Sequence, residues 1–305
     1  MKVSLVIMAA GLGSRYGGSK QVDGVGPHHE ILMEYSIYDA IRAGFNKVVF
    51  IIKPEMEEMM ERLCGGYLRK KTAKDGSPVE VAYAFQDFSS VPDFYTIPEE
   101  RTKPFGTVHA LLCAEDKVDG PCCVINADDY YGIDAYKTIY DELMRLPEGG
   151  KATMVGYLLK NTASLHGTVS RGVCTVEGGK LVSVLETKNI QLYPDGSLRD
   201  LERDRALDPE AVVSMNFWGF MPSIFPVLRE YFEDFLRSED GKDIKSECLL
   251  PVMVDALMRR DALEVSVLHS ADRWFGMTYQ QDRETVAAEL RRLHEEGAYP
   301  ESLRA

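Results

Sequence analysis

The sequence predicts an α/β protein built on a mostly parallel, doubly wound mixed sheet flanked by helices. Two observations predict it. Strand-like apolar runs alternate with helix-like amphipathic ones through the first half of the chain. The runs at residues 3–8 and 122–127 are apolar at nearly every position, as strands covered on both faces are. Parallel strands joined through helices take right-handed crossovers.

Taken in order, residues 3–8 form the first strand. Residues 34–43 have helical spacing and end at Gly44, a glycine suited to the left-handed helix stop. Residues 47–52 are the next strand. Residues 54–63 read as a helix with Pro54 in its first turn. Residues 79–85 alternate like a strand, 107–117 read as a helix, and 122–127 as a second buried strand. The second half is more mixed. Residues 153–158, 172–176, 181–186 and 212–220 read as strands, with a turn at Gly178-Gly179, and residues 224–237, 246–259 and 282–296 as amphipathic helices. Residues 86–104 and 189–210 are polar without clear period, and long loops of that kind are often functional lids. No repeat, low-complexity linker or composition break divides the 305 residues, so one domain over 1–305 is expected.

The formal net charge of −13 argues against a nucleic-acid partner, which calls for a basic face. It does not exclude an anionic small substrate, because a few local cations or a bound metal override the global field. The six cysteines lack the paired spacing of a zinc site or disulfide framework, and Cys122-Cys123 fall in an apolar run as buried thiols. The apolar start is too short for a leader peptide and flows straight into a glycine-rich loop. No run is long enough to span a membrane. A cytoplasmic protein is expected.

That loop, Ala9-Ala10-Gly11-Leu12-Gly13-Ser14-Arg15-Tyr16-Gly17-Gly18-Ser19-Lys20, is the main pointer to chemistry. It does not fit a dinucleotide fingerprint. Tyr16 stands where the third glycine belongs, and the second strand runs into Lys53-Pro54 instead of an acid that would hold a ribose. Nor does it fit a P-loop: Gly13 and Gly18 have the right gap, but Lys20 comes one residue late for the phosphates, and Gln21 stands where the hydroxyl that reaches magnesium belongs.

A strand followed by A-A-G-x-G-S-R and then a lysine resembles the opening of the sugar-phosphate nucleotidyltransferase superfamily. The resemblance implies a Rossmann-like nucleotide half over about 1–150, an acceptor half over about 151–280 and a C-terminal helix over about 281–305. It implies that backbone N–H groups from Ala9, Ala10, Gly11, Gly13 and Ser14 cradle a triphosphate. Arg15 would offer a planar fork to the departing pyrophosphate. Lys20 would place a compact cation near the reacting phosphates. The short spacing from Arg15 to Lys20, with no proline before the lysine, is more like that of molybdenum cofactor guanylyltransferases.

Later segments resemble the same superfamily. Val124-Ile125-Asn126-Ala127-Asp128-Asp129 ends an apolar strand with two carboxylates, and Asp128 matches the aspartate that binds catalytic magnesium, Mg2+. Asp129 is expected to be solvated. Gln86 matches a glutamine that reads a pyrimidine edge. Phe105-Gly106-Thr107 resembles the glycine-plus-helix element under the base, with His109 packed beneath the loop. Arg171-Gly172-Val173 resembles a strand start whose glycine, Gly172, touches a sugar hydroxyl. Leu185-Glu186-Thr187-Lys188 resembles an element in which Glu186 binds a sugar hydroxyl and Lys188 the sugar phosphate. Met215-Asn216-Phe217-Trp218-Gly219 resembles a later strand that puts Asn216 at the acceptor, its aromatics packed in the core. The superfamily's second metal aspartate has no direct counterpart in Arg273-Trp274-Phe275-Gly276-Met277-Thr278; Asp272 and Asp282 flank it, and either of them, or a water, would serve.

The resemblance implies an enzyme that joins a nucleoside triphosphate to a phosphorylated small molecule, with no nucleic acid and no membrane, and an oligomer of identical chains as in many relatives. Chain length and the second-half motifs favour a sugar 1-phosphate acceptor, and Gln86 tilts the donor to UTP or dTTP. The alternatives are a cytidylyltransferase acting on phosphocholine or another phosphorylated alcohol, and a catalytically silent nucleotide or sugar sensor.

Overall fold

The computed structural model describes residues 1–11, 24–270, 272–277, 279 and 281–304. The strands are β1 (Ser4–Met8), β2 (Lys47–Ile52), β3 (Glu80–Phe85), β4 (Cys122–Asn126), β5 (Asp129–Tyr130), β6 (Lys151–Leu158), β7 (Val169–Glu177), β8 (Lys180–Leu192), β9 (Leu198–Asp200), β10 (Arg205–Leu207), β11 (Val212–Phe220), β12 (Glu264–His269) and β13 (Phe275–Gly276). Among the described residues, eleven strands form one sheet in the order β10-β9-β8-β12-β6-β11-β4-β1-β2-β3, with β7 alongside β11 and β8. β5 and β13 form a separate small ribbon.

The block β4-β1-β2-β3 is parallel throughout. Its strands are covered on both faces, which explains their unbroken apolar runs. Leu5, Ile7, Val48, Phe50, Ile52, Cys123 and Ile125 pack into one core layer. Val6, Val49, Ile51, Cys122 and Val124 pack into the other. Burial pushes the Cys122 thiol up to about 12 and that of Cys123 well above its ordinary value, so both are inert core side chains. β11 then runs antiparallel to β4 and β6, and the sheet becomes mixed.

Several boundaries differ from the sequence expectation. Residues 54–68 form one irregular helical stretch containing a π turn at Glu61–Gly65. The expected helix 107–117 is α-helical only over Thr107–Leu112. The expected helix 246–259 begins at Leu250, because the backbone before it is engaged elsewhere: Cys248 N–H donates to Phe105 O, and Cys248 O accepts from Val108 N–H. The polar stretch 189–210 carries three stretches of strand. β8 continues to Leu192, and β9 and β10 follow as a meander. Only Ile190, Leu198 and the carboxylate of Asp200 are buried there, so alternation is hidden among exposed residues. Pro194-Asp195-Gly196, with Gly196 at φ +84°, is the turn signal that marks the hairpin. The helix Ile133–Leu143 and the strand β12 were not expected at all. Ala135, Tyr136, Ile139 and Leu143 give that helix a buried stripe at helical spacing.

The C-terminal helix Asp282–Glu295 and the tail after it bind back onto the helix Leu32–Ala43. Arg304 makes a two-pronged ion pair with the fully buried Glu34, at 2.6 and 2.8 Å. The Tyr299 hydroxyl donates to buried Asp39 at 2.6 Å and lies 2.8 Å from the Tyr130 hydroxyl. The chain end thus braces the helix that follows the opening loop. Among the described residues no helix is long and apolar enough to cross a membrane.

Candidate active site

Parallel pairing sets the location. Met8 stands opposite Asn126 on one side and Ile51 on the other. Ala9 N–H donates to Ile51 O at 2.8 Å, and Ala127 N–H to Met8 O at 3.3 Å. Ala9-Ala10-Gly11 and the Asp128 turn therefore leave the sheet side by side at its carboxyl edge, where open α/β sheets collect ligands. Ala9 and Ala10 are buried. Gly13, Ser14, Arg15 and Lys20 lie outside the described residues.

The turn after β4 is closed by its own side chains. Asn126 Nδ2 donates to Asp129 Oδ2 at 2.8 Å, and Asn126 N–H donates to the Tyr131 hydroxyl at 3.0 Å. That hydroxyl lies 3.2 Å from Asp129 Oδ2 and 2.9 Å from Met215 O. Asp129 is thus buried and bonded, where the sequence suggested a solvated carboxylate. Gly276 pairs with it across the β5–β13 ribbon, and a Cβ there would stand 2.5 Å from Asp129 Oδ1. Asp128, between Asn126 and Asp129, is half-buried.

The two flanking aspartates have structural attachments. Asp272 Oδ2 accepts from Ala135 N–H at 2.8 Å and from Ser270 Oγ at 3.0 Å, capping the helix Ile133–Leu143 from outside its own chain segment. Burial raises its pKa against these bonds. Asp282 accepts from Tyr279 N–H at 2.7 Å and from Ser164 Oγ at 3.2 Å. Asp272 precedes the ribbon strand that pairs with Asp129-Tyr130, whereas Asp282 opens the C-terminal helix. Among the described residues, no three His, Cys, Asp or Glu side chains are grouped to hold a metal. A single half-buried carboxylate at a substrate edge fits magnesium, which takes one or two carboxylates and completes its shell with phosphate oxygens and water.

Three strands away from β4, Gln86 follows β3, and Gly106 precedes the helix Thr107–Leu112. Gln86 Nε2 donates to Gly106 O at 3.1 Å, so the two expected base-contacting residues are in contact. Gly106 has φ +93°, and a Cβ there would meet Cys248 O at 2.7 Å. The Thr107 hydroxyl accepts from Leu250 N–H at 2.8 Å, which gives it a packing duty beside any nucleotide contact. The long loop before it is clamped down. Arg101, nearly fully buried, donates to the carbonyls of Lys103, Pro104, Asp243 and Ser246 and lies 3.7 Å over the Phe105 ring. These bonds tie the loop to Asp243 and Ser246 and make it a wall.

His109 lies under this wall as expected, fully buried and stacked on Phe232 at 5.2 Å. Its Nε2 is 2.9 Å from Ser90 Oγ. Desolvation, with a smaller push from Arg101 against Asp87, lowers its pKa to about 4. A histidine depressed in the fold stabilises it fully above its unfolded value near 6.5, and that stability is lost as pH falls, because only the unfolded chain takes up the proton. Between pH 7 and 5 this group is expected to remove about 2 kcal/mol of stability. Urea unfolding of His109→Gln should show a correspondingly flatter pH dependence over that range. An unchanged slope would contradict the assignment.

On the other side of the Asp128 turn, β7, β8 and β11 bring the acceptor candidates into register. Gly172 pairs with Glu186 and with Ser214. A Cβ at Gly172 would stand 2.9 Å from Val184 Cγ2. Burial raises the Glu186 pKa, and Arg171 and then Lys188 pull it back, so these three charges share one neighbourhood. Lys188 is exposed. Arg171 is buried, bonded to Thr162 O and Ser170 O and lying over Trp274 at 5.1 Å. Asn216 sits in a bulge of β11 at φ +59° and reaches Asn126. Phe217, Trp218 and Phe220 are fully buried, as their core assignment requires.

A model of the family described as nucleotidyl transferase matches residues 4–189. The match spans more than half of the chain, and the chain belongs to this family of nucleotidyltransferase enzymes. Solved structures share the fold at low identity. A Bacillus anthracis protein assigned as a glucose-1-phosphate thymidylyltransferase, in complex with sucrose, has a TM-score of 0.62 at 16% identity, over 95% of each chain. The inositol-1-phosphate CTP transferase from T. maritima has a TM-score of 0.57 at 10% identity, over 94% of this chain and 95% of that one. A UDP-glucose pyrophosphorylase complexed with UDP-glucose has a TM-score of 0.57 at 15% identity, over 97% and 100%. No curated protein matches the sequence.

Proposed function

We propose that the chain is a magnesium-dependent nucleotidyltransferase that joins UTP or dTTP to a sugar 1-phosphate, releasing a nucleotide sugar and pyrophosphate. One observation carries it. Across the carboxyl edge the strand order β3-β2-β1-β4-β11, with β7 beside β11, sets Gln86 and Gly106, then Ala9-Ala10-Gly11, then Asp128, then Asn216 and Gly172 in a row. That is the order of base, triphosphate, metal and acceptor in such a reaction. The whole chain acts as one unit with a nucleotide half and an acceptor half, in the cytoplasm.

An acceptor phosphate oxygen attacks the α-phosphorus in line, and pyrophosphate leaves from the opposite side. The acceptor phosphate is already an anion near neutral pH, so the step needs no general base. The protein contributes positioning and neutralisation of charge. Magnesium held by Asp128 would let two highly charged substrates approach. Arg15 and Lys20 hold the triphosphate, with Arg15 on the departing pyrophosphate. Gln86 and the Gly106 backbone bind the base edge. Glu186 accepts from a sugar hydroxyl, and Lys188 meets the sugar phosphate.

The names of the thymidylyltransferase and of the UDP-glucose enzyme support a sugar 1-phosphate with a uridine or thymidine donor. The inositol-1-phosphate CTP transferase keeps a second reading in view, a cytidylyl transfer to a phosphorylated alcohol. A pyrophosphate-release matrix decides: all common triphosphates against phosphorylated sugars and alcohols, with magnesium. Turnover is expected for UTP or dTTP with a sugar 1-phosphate. Turnover confined to CTP with an alcohol phosphate would select the second reading, and none with any pair would remove both.

A further inference from the structure

Asn126 was not singled out by its sequence, yet it stands at the junction of both halves of the site. Its side chain bonds on two sides. Nδ2 donates to Asp129 Oδ2 at 2.8 Å, and Oδ1 accepts from Asn216 Nδ2 at 3.4 Å. Asn216 Oδ1 in turn accepts from the Trp218 indole N–H at 3.4 Å.

Chemistry fixes the direction of this chain. An indole N–H only donates, so the oxygen of Asn216 must face Trp218 and its NH2 must face Asn126. A carboxylate only accepts, so the NH2 of Asn126 must face Asp129. Both amide orientations follow from the two ends. Trp218 is fully buried and cannot swing away. Asn216 is held at φ +59° in the left-handed region, where asparagine is tolerated better than most residues. The register of β11 slips between Ser214 and Trp218 to accommodate it, and the slip aims the amide at β4.

We propose that Asn126 is a positioning residue for the turn bearing Asp128, held across the sheet by Asn216 and Trp218. Asp129 is the anchor that receives the bond. Fixed at Asn126 and Asp129, the turn presents Asp128, and Asn216 ties that placement to the acceptor strand. The proposal rests on Asp128 as the metal-binding carboxylate.

Mn2+ binding to the full chain, followed by electron paramagnetic resonance with α,β-methylene-UTP present, tests it apart from turnover. Wild type, Asp128→Asn, Asn126→Ala, Asn216→Gly and the Asn126/Asn216 double variant are compared. Glycine adopts φ +59° freely, so Asn216→Gly removes the amide without adding strain. Asp128→Asn should abolish tight binding. Each single asparagine variant should weaken it about tenfold, the scale of lost partners behind a metal ligand. The double variant should be no weaker than the worse single one, because both act through one chain. Wild-type binding by Asn126→Ala, with Asp128→Asn defective, would overturn the relay and leave the metal assignment standing. Multiplying losses in the double variant would also overturn it. Wild-type binding by Asp128→Asn would overturn both. If Asn126→Ala fails to fold, Asn216→Gly decides by the same criterion.

Discussion

Asp128→Asn is expected to lower turnover about 100- to 1,000-fold while the protein stays folded. The substitution keeps the shape of the side chain and removes its charge. Asparagine offers a weak carbonyl oxygen where a hard anionic ligand is needed, so two polyanionic substrates meet without neutralisation. The bonds that close the turn through Asn126, Asp129 and Tyr131 remain. Asp129→Ala is the contrasting variant. It removes the oxygen that accepts from Asn126 Nδ2 and faces the Tyr131 hydroxyl. It should cost stability, about 1–3 kcal/mol, by leaving a buried donor unpaired. Steady-state rates with thermal unfolding separate the two. Near-native turnover by Asp128→Asn would remove the metal from this turn.

Arg15→Ala is expected to lose turnover on the same scale, again about 100- to 1,000-fold. Arg15 lies outside the described residues, but it follows Gly11 by four positions, and Gly11 leaves β1 beside the Asp128 turn. Negative charge gathers on the pyrophosphate as its bond to the α-phosphorus breaks. A guanidinium fork that meets that charge lowers the barrier more than it tightens substrate binding, so the loss should fall on kcat. Arg15→Lys should recover only part of it, because an ammonium keeps the charge without the two-pronged geometry. Single-turnover rates with pre-bound substrates check this. A loss confined to KM would place Arg15 in ground-state binding alone.

The parallel half of the sheet was legible because its strands are covered on both faces. Val6 and Ile7 enter opposite core layers, so the run reads apolar throughout. Gly44 and Gly178-Gly179 take the positive φ values that mark helix and hairpin ends. The second half of the chain was harder. β8 has one face largely in solvent, and its far end buries little beyond Ile190, so sheet looks like polar loop. The roles of Asn126 and Asn216 were not legible as a pair, because the bond between them joins positions 90 residues apart. Asp129 reads as solvated in the sequence because acids are rarely buried unless paired, and the partners of its carboxylate, Asn126 and Tyr131, are uncharged side chains that give no ion-pair signal. Asp272 shows the same limit: its helix-capping bond comes from a segment 137 residues away from Ala135.

A crystal structure with magnesium, an unreactive triphosphate analogue and a sugar 1-phosphate tests most directly whether the opening loop and the Asp128 turn meet across one triphosphate. The expected result is a magnesium ion held by the Asp128 carboxylate beside the bound triphosphate, with Arg15 on the pyrophosphate that would depart. A triphosphate bound away from the shared edge of β1 and β4, or a metal held without Asp128, would contradict it.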